Sequence, residues 1–169
     1  MRRIAMVALG LLTTAGATSA QTGEGQVSLA IGTQAPDVEL QDLDENDVSL
    51  LALAEGKPML IEFWASWCEQ CEALQPQLDT IHETYGDQVN IVAVAVAVSQ
   101  TLRRVRRHVE DAGHGYAFLW DGKGAAVRAY QAATTAIIVI LDEEGKVAYT
   151  GVGPGQDLVA VVSDMVGGR

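Results

Sequence analysis

Two cysteines, Cys68 and Cys71, are the residues of this 169-residue chain whose spacing most directly indicates chemistry. They are its only cysteines, and they follow residues 59–64 (MLIEFW), an apolar run that predicts a buried strand. Residues 72–85 then predict a helix, so the pair lies where a strand leads into a helix. Side chains three positions apart on a helix are about 5–6 Å apart at Cβ, which brings two sulfur atoms within reach of a disulfide.

A position at the start of a helix also favours negative charge, and therefore the Cys68 thiolate. Thiol–disulfide exchange needs such a thiolate and a second thiol that resolves the mixed disulfide. The alternative is a structural staple. A bridge that closes only four residues removes little entropy from the unfolded chain, about 2 kcal/mol, and a chain that is 49% hydrophobic does not depend on it. Redox function is the favoured interpretation.

Residues 1–20 have the pattern of a secretory signal peptide. Arg2 and Arg3 precede an apolar segment, and small residues lead to Ala20, near which we expect cleavage. The apolar part is short for a membrane span, so an uncleaved anchor is the less favoured alternative. Export predicts a periplasmic or secreted protein in an oxidising compartment. Residues 21–31 then form an expected flexible lead-in, and residues 32–169 the folded domain.

The charge balance excludes some classes of partner. Removal of Arg2 and Arg3 takes eleven basic residues to nine, against twenty-two acidic ones. Nucleic acid and anionic membrane surfaces are therefore unfavourable partners. Residues 103–108 (RRVRRH) are the exception. They form a basic cluster on a predicted helix, and Val105 is the one apolar residue within it. The spacing of Arg106–Glu110 and Arg107–Asp111 predicts ion pairs on a solvated helix face, with a partner-docking patch as the alternative.

Strand and helix patterns alternate along the rest of the chain. Residues 38–40 and 48–50 predict a hairpin, and residues 89–98 (VNIVAVAVAV) predict a central parallel strand covered on both faces. Pro76 should kink the helix that follows the cysteines. The remaining predicted elements are a helical turn at 51–54, helices at 101–112, 125–131 and 158–166, and strands at 117–120, 136–141 and 146–150. This pattern is an α/β layer architecture.

With these motifs in hand, the chain resembles thioredoxin-fold proteins, specifically exported TlpA/ResA-like thiol–disulfide oxidoreductases. The matching stretches are residues 32–37 (GTQAPD), 56–58 (GKP), 63–71 (FWASWCEQC), Pro76 and 141–147 (LDEEGKV). The resemblance implies a thioredoxin-like fold, with a central mixed sheet flanked by helices and an N-terminal β-hairpin extension. It also implies client proteins with cysteine pairs, a membrane-side thiol electron donor, and no cofactor.

The same resemblance assigns roles at the site. Cys68 would attack, and Cys71 would be the buried resolving thiol. Trp67 would shield the disulfide and shape the substrate-docking surface, with a core or boundary aromatic as the alternative. Glu62 interrupts an otherwise apolar strand, so its pKa should be raised by desolvation. In thioredoxins an acid at this position exchanges protons with the buried cysteine, which makes Glu62 the candidate general base and acid for Cys71. The alternative is a glutamate whose carboxylate reaches water.

Two departures from the family pattern change these expectations. The family usually has a cis-proline before the strand that precedes Asp142, and this chain has Ala136 there, after Thr135. A cis bond before alanine costs about 2.5–4 kcal/mol, so we expect a trans bond and a reshaped substrate-binding loop at Thr135 and Ala136. Leu74 also replaces a frequent glutamate, while Glu69, Glu72 and Glu62 supply negative charge near the cysteines. Negative charge disfavours the thiolate form, which predicts a reductant.

Two other functions stay open. Without a proline beside the cysteines, two thiolates could bind a soft ion such as copper(I), as a metal-binding or metallochaperone protein. A docking module that has lost turnover is the third possibility, against which the intact cysteines weigh. The three histidines lack ligand spacing, and a closed zinc site needs four ligands.

Overall fold

The computed structural model describes residues 27–168, so the predicted signal peptide at 1–20 lies outside the described residues. The strands are β1 (Glu39–Asp42), β2 (Asp47–Ser49), β3 (Met59–Trp64), β4 (Asn90–Val96), β5 (Ala117–Asp121), β6 (Ile137–Leu141) and β7 (Val147–Val152). The helices are α1 (Glu69–Glu72), α2 (Gln75–Tyr85), α3 (Leu102–Ala112), α4 (Ala125–Ala129) and α5 (Leu158–Gly167), with a 3₁₀ turn at Leu51–Ala54.

The seven strands form one mixed sheet in the order β2-β1-β5-β4-β3-β6-β7. Strands β3, β4 and β5 pair in parallel, and the other pairs are antiparallel. The Val-rich strand β4 lies between β3 and β5, as its continuous apolar sequence predicts for a strand covered on both faces. The thioredoxin-like α/β fold expected from the sequence is confirmed, including the N-terminal hairpin, which joins the sheet beside β5.

The core forms on both sides of β3, β4 and β6. Every residue of β3 and of β6 is buried, because these strands are rich in branched apolar side chains and helices cover them. Helices α2 and α5 pack against each other, while α4 contacts β1 and β5. The buried disulfide site stands directly after β3, so the central strand fixes the position of the cysteines.

Pro76 does not kink a continuous helix over residues 72–85, as the sequence predicted. The helix is instead divided: α1 ends at Glu72, and α2 begins at Gln75 with Pro76 in its first turn. A proline lacks the N–H that a helix interior requires, but the N–H groups of a first turn have no partner within the helix. The chain therefore starts a second helix at the proline.

The described part of the predicted flexible lead-in, residues 27–31, includes two residues that pack against the domain. Ser28 and Leu29 are buried, and the Ser28 hydroxyl donates a hydrogen bond to the Tyr130 carbonyl oxygen at 2.6 Å. Leu29 belongs to the hydrophobic core, so its burial outweighs the entropy of a free segment. Within residues 27–168, no helix combines the length and the apolar character that a membrane span requires.

Candidate redox site at the start of helix α1

The two cysteines form a disulfide at the junction of β3 and α1, with a Cα–Cα distance of 5.3 Å. Cys68 is the N-cap residue of α1, in an extended backbone conformation, and Cys71 lies within the helix. The backbone N–H of Cys71 donates to the Cys68 sulfur at 3.1 Å. In the reduced protein the same N–H would donate to a Cys68 thiolate, and hydrogen bonds to a charged acceptor are the stronger kind. The geometry therefore favours ionisation at Cys68.

The two sulfur-bearing residues differ in exposure. Cys68 keeps 9% of its surface accessible and Cys71 only 2%. A groove of about 370 Å³ opens at the disulfide. It is lined by Trp64, Ala65, Ser66, Trp67, Cys68, Glu69, Cys71, Glu72, Gln75, His108, Ala112 and His114. Both cysteines line the groove, and Cys68 is the more accessible of the two to a client.

Trp67 lies at the rim of the groove, and 42% of its surface is exposed. Its indole N–H donates to the carbonyl oxygen of Val98 at 2.8 Å, which holds the ring beside Cys68. Val98 is itself exposed, so the two side chains form an apolar surface next to the reactive sulfur. Trp67 is thus at a surface position and not in the core.

Glu62 is completely buried in the middle of β3. Side chains alternate along a strand, so Glu62 faces the same side of the sheet as Trp64, which lines the groove. Burial raises the pKa of Glu62 to about 8, and the nearby Gln75 side chain partly opposes this shift. Neither carboxyl oxygen has a hydrogen-bond partner among the described residues. The alternative that this carboxylate reaches water is wrong.

Gln75 and Tyr116 connect Glu62 with the groove. The Tyr116 hydroxyl donates to Gln75 Oε1 at 2.6 Å, which leaves the amide nitrogen of Gln75 as the donor available to Glu62. Gln75 also lines the groove beside Cys71. The pKa of Tyr116 is raised by burial and by the negative charge of Glu62 and Asp79, so this phenol stays a donor. Gln75 thus interacts with the buried acid and also lines the groove that holds the cysteines.

The sequence interpretation missed Gln75 and Tyr116. Gln75 comes four residues after Cys71, a spacing that places two side chains on one helix face and could have indicated it. Tyr116 carries no such signal, because only the folding of β5 beside β4 brings it near α2. His114 stacks on Tyr116 at 5.4 Å between ring centroids, and its Nδ1 lies 2.8 Å from Asp79 Oδ1. His114 lines the groove, and Tyr116 and Asp79 contact its ring.

The Thr135–Ala136 loop is built without a cis bond, since residues 27–168 contain none. Ala136 is fully buried, with φ of +58°. Its N–H donates to the Phe63 carbonyl oxygen at 2.8 Å, and its own carbonyl accepts from Gly153 N–H at 2.9 Å. Ala136 therefore has no free group to offer a client. Of the three predicted substrate-binding residues, exposed Trp67 lines the groove, whereas half-buried Thr135 and buried Ala136 do not.

This loop nevertheless lies next to the cysteine helix. A Cβ on Gly153, whose N–H donates to Ala136, would be 3.7 Å from Gln70 Oε1 in α1.

Within residues 27–168, no group of three or more His, Cys, Asp or Glu side chains is arranged to hold a metal ion. His108 and His114 both line the groove, while His82 packs against Tyr116 elsewhere.

Comparisons with known proteins agree with this geometry. The sequence profile of the Redoxin family matches residues 30–166. The chain is 31% identical over 129 residues to the thioredoxin-like protein YneN of Bacillus subtilis, covering 76% of this chain and 75% of the relative. It is 27% identical over 122 residues to the thiol-disulfide oxidoreductase ResA of Geobacillus thermodenitrificans, covering 72% and 69%.

Among solved structures, the thioredoxin domain of a thiol-disulfide oxidoreductase from Bacteroides vulgatus superimposes with a TM-score of 0.73. The two sequences are 25% identical, and the match covers 82% of this chain and 99% of that domain. The paired cysteines, the groove beside them and these relatives all point the same way. The chain belongs to the Redoxin family, as a thioredoxin-fold thiol–disulfide oxidoreductase similar to ResA.

Proposed function

We propose that this oxidoreductase is an exported reductant that transfers electrons from the Cys68/Cys71 dithiol to disulfides of client proteins. One observation carries the proposal: the two sulfurs are unequal, with Cys68 reachable and bonded by the Cys71 N–H, and Cys71 almost sealed. This asymmetry gives the two thiols different roles, because Cys68 can attack a client disulfide and Cys71 can then resolve the mixed disulfide.

The exchange then runs in two displacements. The Cys68 thiolate attacks one sulfur of the client disulfide, the client S–S bond breaks, and its electron pair leaves with the second client sulfur as a thiolate. The Cys71 thiol loses its proton and attacks the Cys68 sulfur, which releases the remaining client sulfur. The client gains two electrons and takes up two protons to become a dithiol, while the protein is left with the Cys68–Cys71 disulfide.

The second displacement is where Glu62 would act. Cys71 is buried, so its proton cannot pass directly to water, and the ionised fraction of Glu62, which grows as the pH rises towards its pKa of about 8, is a suitable acceptor. Gln75, which interacts with Glu62 and lines the groove with Cys71, supports this assignment. In the reverse reaction the protonated acid would return the proton to the leaving Cys71 sulfur.

The direction of electron flow follows from the surrounding charge. Glu69 and Glu72 line the groove, and their charge opposes the stabilisation of the Cys68 thiolate by the Cys71 N–H, whereas Glu62 adds negative charge only as the pH approaches its pKa of about 8. Destabilising the thiolates favours the disulfide, and a stable disulfide belongs to a reducing protein. We therefore expect the protein to donate electrons to clients and to be regenerated by a thiol donor at the membrane side.

The proposal of export rests on the signal-like residues 1–20 with cleavage near Ala20, which would leave the domain in the periplasm or outside the cell.

Copper binding through the two thiols is the second candidate function, and it has less support. Both sulfurs would have to face the ion, whereas only 2% of the Cys71 surface is accessible. Purified reduced protein that retains copper(I) against a competing chelator would favour this candidate instead.

A redox titration tests the proposed direction. The fraction of Cys68–Cys71 disulfide is measured after equilibration with glutathione buffers of defined ratio. We expect a potential near that of thioredoxin, about −270 mV, because the acids disfavour the dithiolate. A potential near that of a strong oxidant such as DsbA, about −120 mV, would contradict the reductant proposal.

A further inference from the structure

The basic cluster on α3 is not neutralised by its own helix. The ion pairs predicted for Arg106–Glu110 and Arg107–Asp111 are absent from the described residues. Arg106 instead reaches the hairpin turn, where its guanidinium group donates to the Leu43 carbonyl oxygen and lies 3.7 Å from Glu45. The reason is geometric, since α3 packs beside the hairpin and the carbonyl is a closer acceptor than Glu110.

Three arginines remain exposed without an ion pair or a side-chain hydrogen bond within residues 27–168: Arg103, Arg104 and Arg107. Four of the eleven lysines and arginines of the chain fall within residues 103–107, while the whole chain carries a formal charge of −11. Such a local positive surface on an acidic protein is not needed for solubility. It concentrates a field that attracts negative groups.

These arginines line a second groove that continues from the disulfide groove. The second groove, here called the basic groove, is lined by Ser66, Thr101, Arg103, Arg104, Arg107, His108 and Asp111. Ser66 and His108 belong to both grooves. A polypeptide whose disulfide contacts Cys68 would therefore extend over the arginines on one side. In the disulfide groove itself it would meet Glu69 and Glu72, which do not line the basic groove.

Two unpartnered polar groups of residues that line the disulfide groove, one of which also lines the basic groove, can donate hydrogen bonds. The buried Nε1–H of Trp64 and the buried hydroxyl of Ser66 have no hydrogen-bond partner among the described residues. An indole N–H can only donate, and guanidinium groups can only donate. A ligand rich in acceptors matches this set, and carboxylates match it best because they also pair with Arg in bidentate fashion.

We propose that the basic groove binds an acidic segment that flanks the disulfide of the client. The inference rests on the proposed exchange function and names its substrate class: polypeptides with Asp or Glu on one side of the cysteine pair. Glu69 and Glu72 repel the same charges on the other side, so the two grooves together also fix the direction in which the client lies.

Single-turnover kinetics test the proposal. The full chain is reduced, freed of reductant and mixed with one of three synthetic peptides, each with the same disulfide loop and a single flank of three Asp, three Asn or three Lys. Each rate is divided by the rate of the same peptide with dithiothreitol, which removes the effect of the flank on intrinsic disulfide reactivity. The net charge of the protein alone predicts the fastest reaction for the Lys peptide.

We expect the opposite order, with the Asp peptide about tenfold faster than the Lys peptide at low ionic strength, and a smaller ratio at high salt. In the variant Arg103→Gln/Arg104→Gln/Arg107→Gln the ratio should fall to one or below. In the matched control Lys123→Gln/Arg128→Gln/Lys146→Gln, which changes net charge equally away from both grooves, the ratio should persist.

Distinct results would overturn distinct claims. If all peptides are reduced but the Lys peptide is as fast as the Asp peptide, the basic groove does not select clients and the exchange function stands. If the control loses the preference as fully as the α3 variant, the effect belongs to the whole charge of the protein and the inference fails. If no peptide is reduced, exchange itself fails, and the inference fails with it.

Discussion

The backbone N–H of Ala136 donates a hydrogen bond to the carbonyl oxygen of Phe63 at 2.8 Å, in the strand that also carries Glu62. Ala136 has φ of +58° and is completely buried. A proline has no N–H and is restricted to φ near −65°, so it fits neither feature. The chain thus differs from the family pattern in the construction of the loop as well as in one side chain.

Substitution of Ala136 by proline should therefore destabilise the protein. We expect a loss of about 3 kcal/mol or more in the free energy of unfolding for Ala136→Pro, from the lost hydrogen bond and the incompatible φ. Ala136→Gly should stay within about 1 kcal/mol, since glycine adopts positive φ without strain. Urea denaturation of the oxidised proteins measures both, and a proline variant as stable as the parent would refute this view of the loop.

Glu62 should make stability depend on pH. Its pKa rises from 4.5 to about 8 on folding, so the unfolded chain ionises first and stability is lost as pH rises through this window. The loss between pH 5 and pH 8 should be roughly 2–4 kcal/mol. Glu62→Gln should flatten this slope, whereas the surface control Glu83→Gln should leave it unchanged. Urea denaturation at several pH values measures this dependence. If stability changed equally with pH in all three proteins, the raised pKa of buried Glu62 would be contradicted.

Glu62 should also matter for the second displacement more than for the first. In Glu62→Gln the attack by Cys68 should proceed nearly normally, while resolution by Cys71 slows about tenfold to hundredfold because its proton has no acceptor. Quenched-flow samples analysed by mass should then show a mixed disulfide accumulating. The rate of resolution should rise with pH through about 8 in the parent and lose this inflection in the variant. Equal slowing of both steps would indicate a merely structural role.

Gln75 is expected to keep the pKa of Glu62 lower than burial alone would set it. Its side chain lowers the pKa of Glu62, so Gln75→Leu should raise that pKa above about 8 and move the inflection of the resolution rate to higher pH. The surface variant Gln88→Leu serves as the matched control and should keep the parental inflection. An unchanged profile in Gln75→Leu would remove Gln75 from the proton path, whatever its effect on stability.

Much of the fold followed from periodicity. The predicted strand at 59–64 coincides with β3, and the Val-rich run predicted the parallel strand at the centre of the sheet. Boundaries elsewhere moved by one or two residues. The division of the cysteine helix was missed because a proline in a first turn and a proline in a helix interior look alike in sequence.

The candidate site, like the fold, could be predicted only in part. The positions of Cys68 and Cys71 follow from local spacing, and the burial of Glu62 from its place in an apolar strand. Tyr116 could not be predicted, because its contact with Gln75 joins residues 41 positions apart. The ion pairs predicted for Arg106 and Arg107 are absent from the part of the chain that the structure describes, since sequence spacing shows possible partners within a helix but not the competing hairpin turn that Arg106 reaches.

The most direct test of the central claim is the capture of a mixed disulfide. Reduced Cys71→Ala, Cys68→Ser and parental protein are each mixed with a peptide disulfide and analysed by mass spectrometry under acid quench. We expect Cys71→Ala to retain the peptide on Cys68 as a stable adduct, Cys68→Ser to form little adduct, and the parent to release reduced peptide. Adduct formation at Cys71 in Cys68→Ser as fast as at Cys68 in Cys71→Ala would contradict the account.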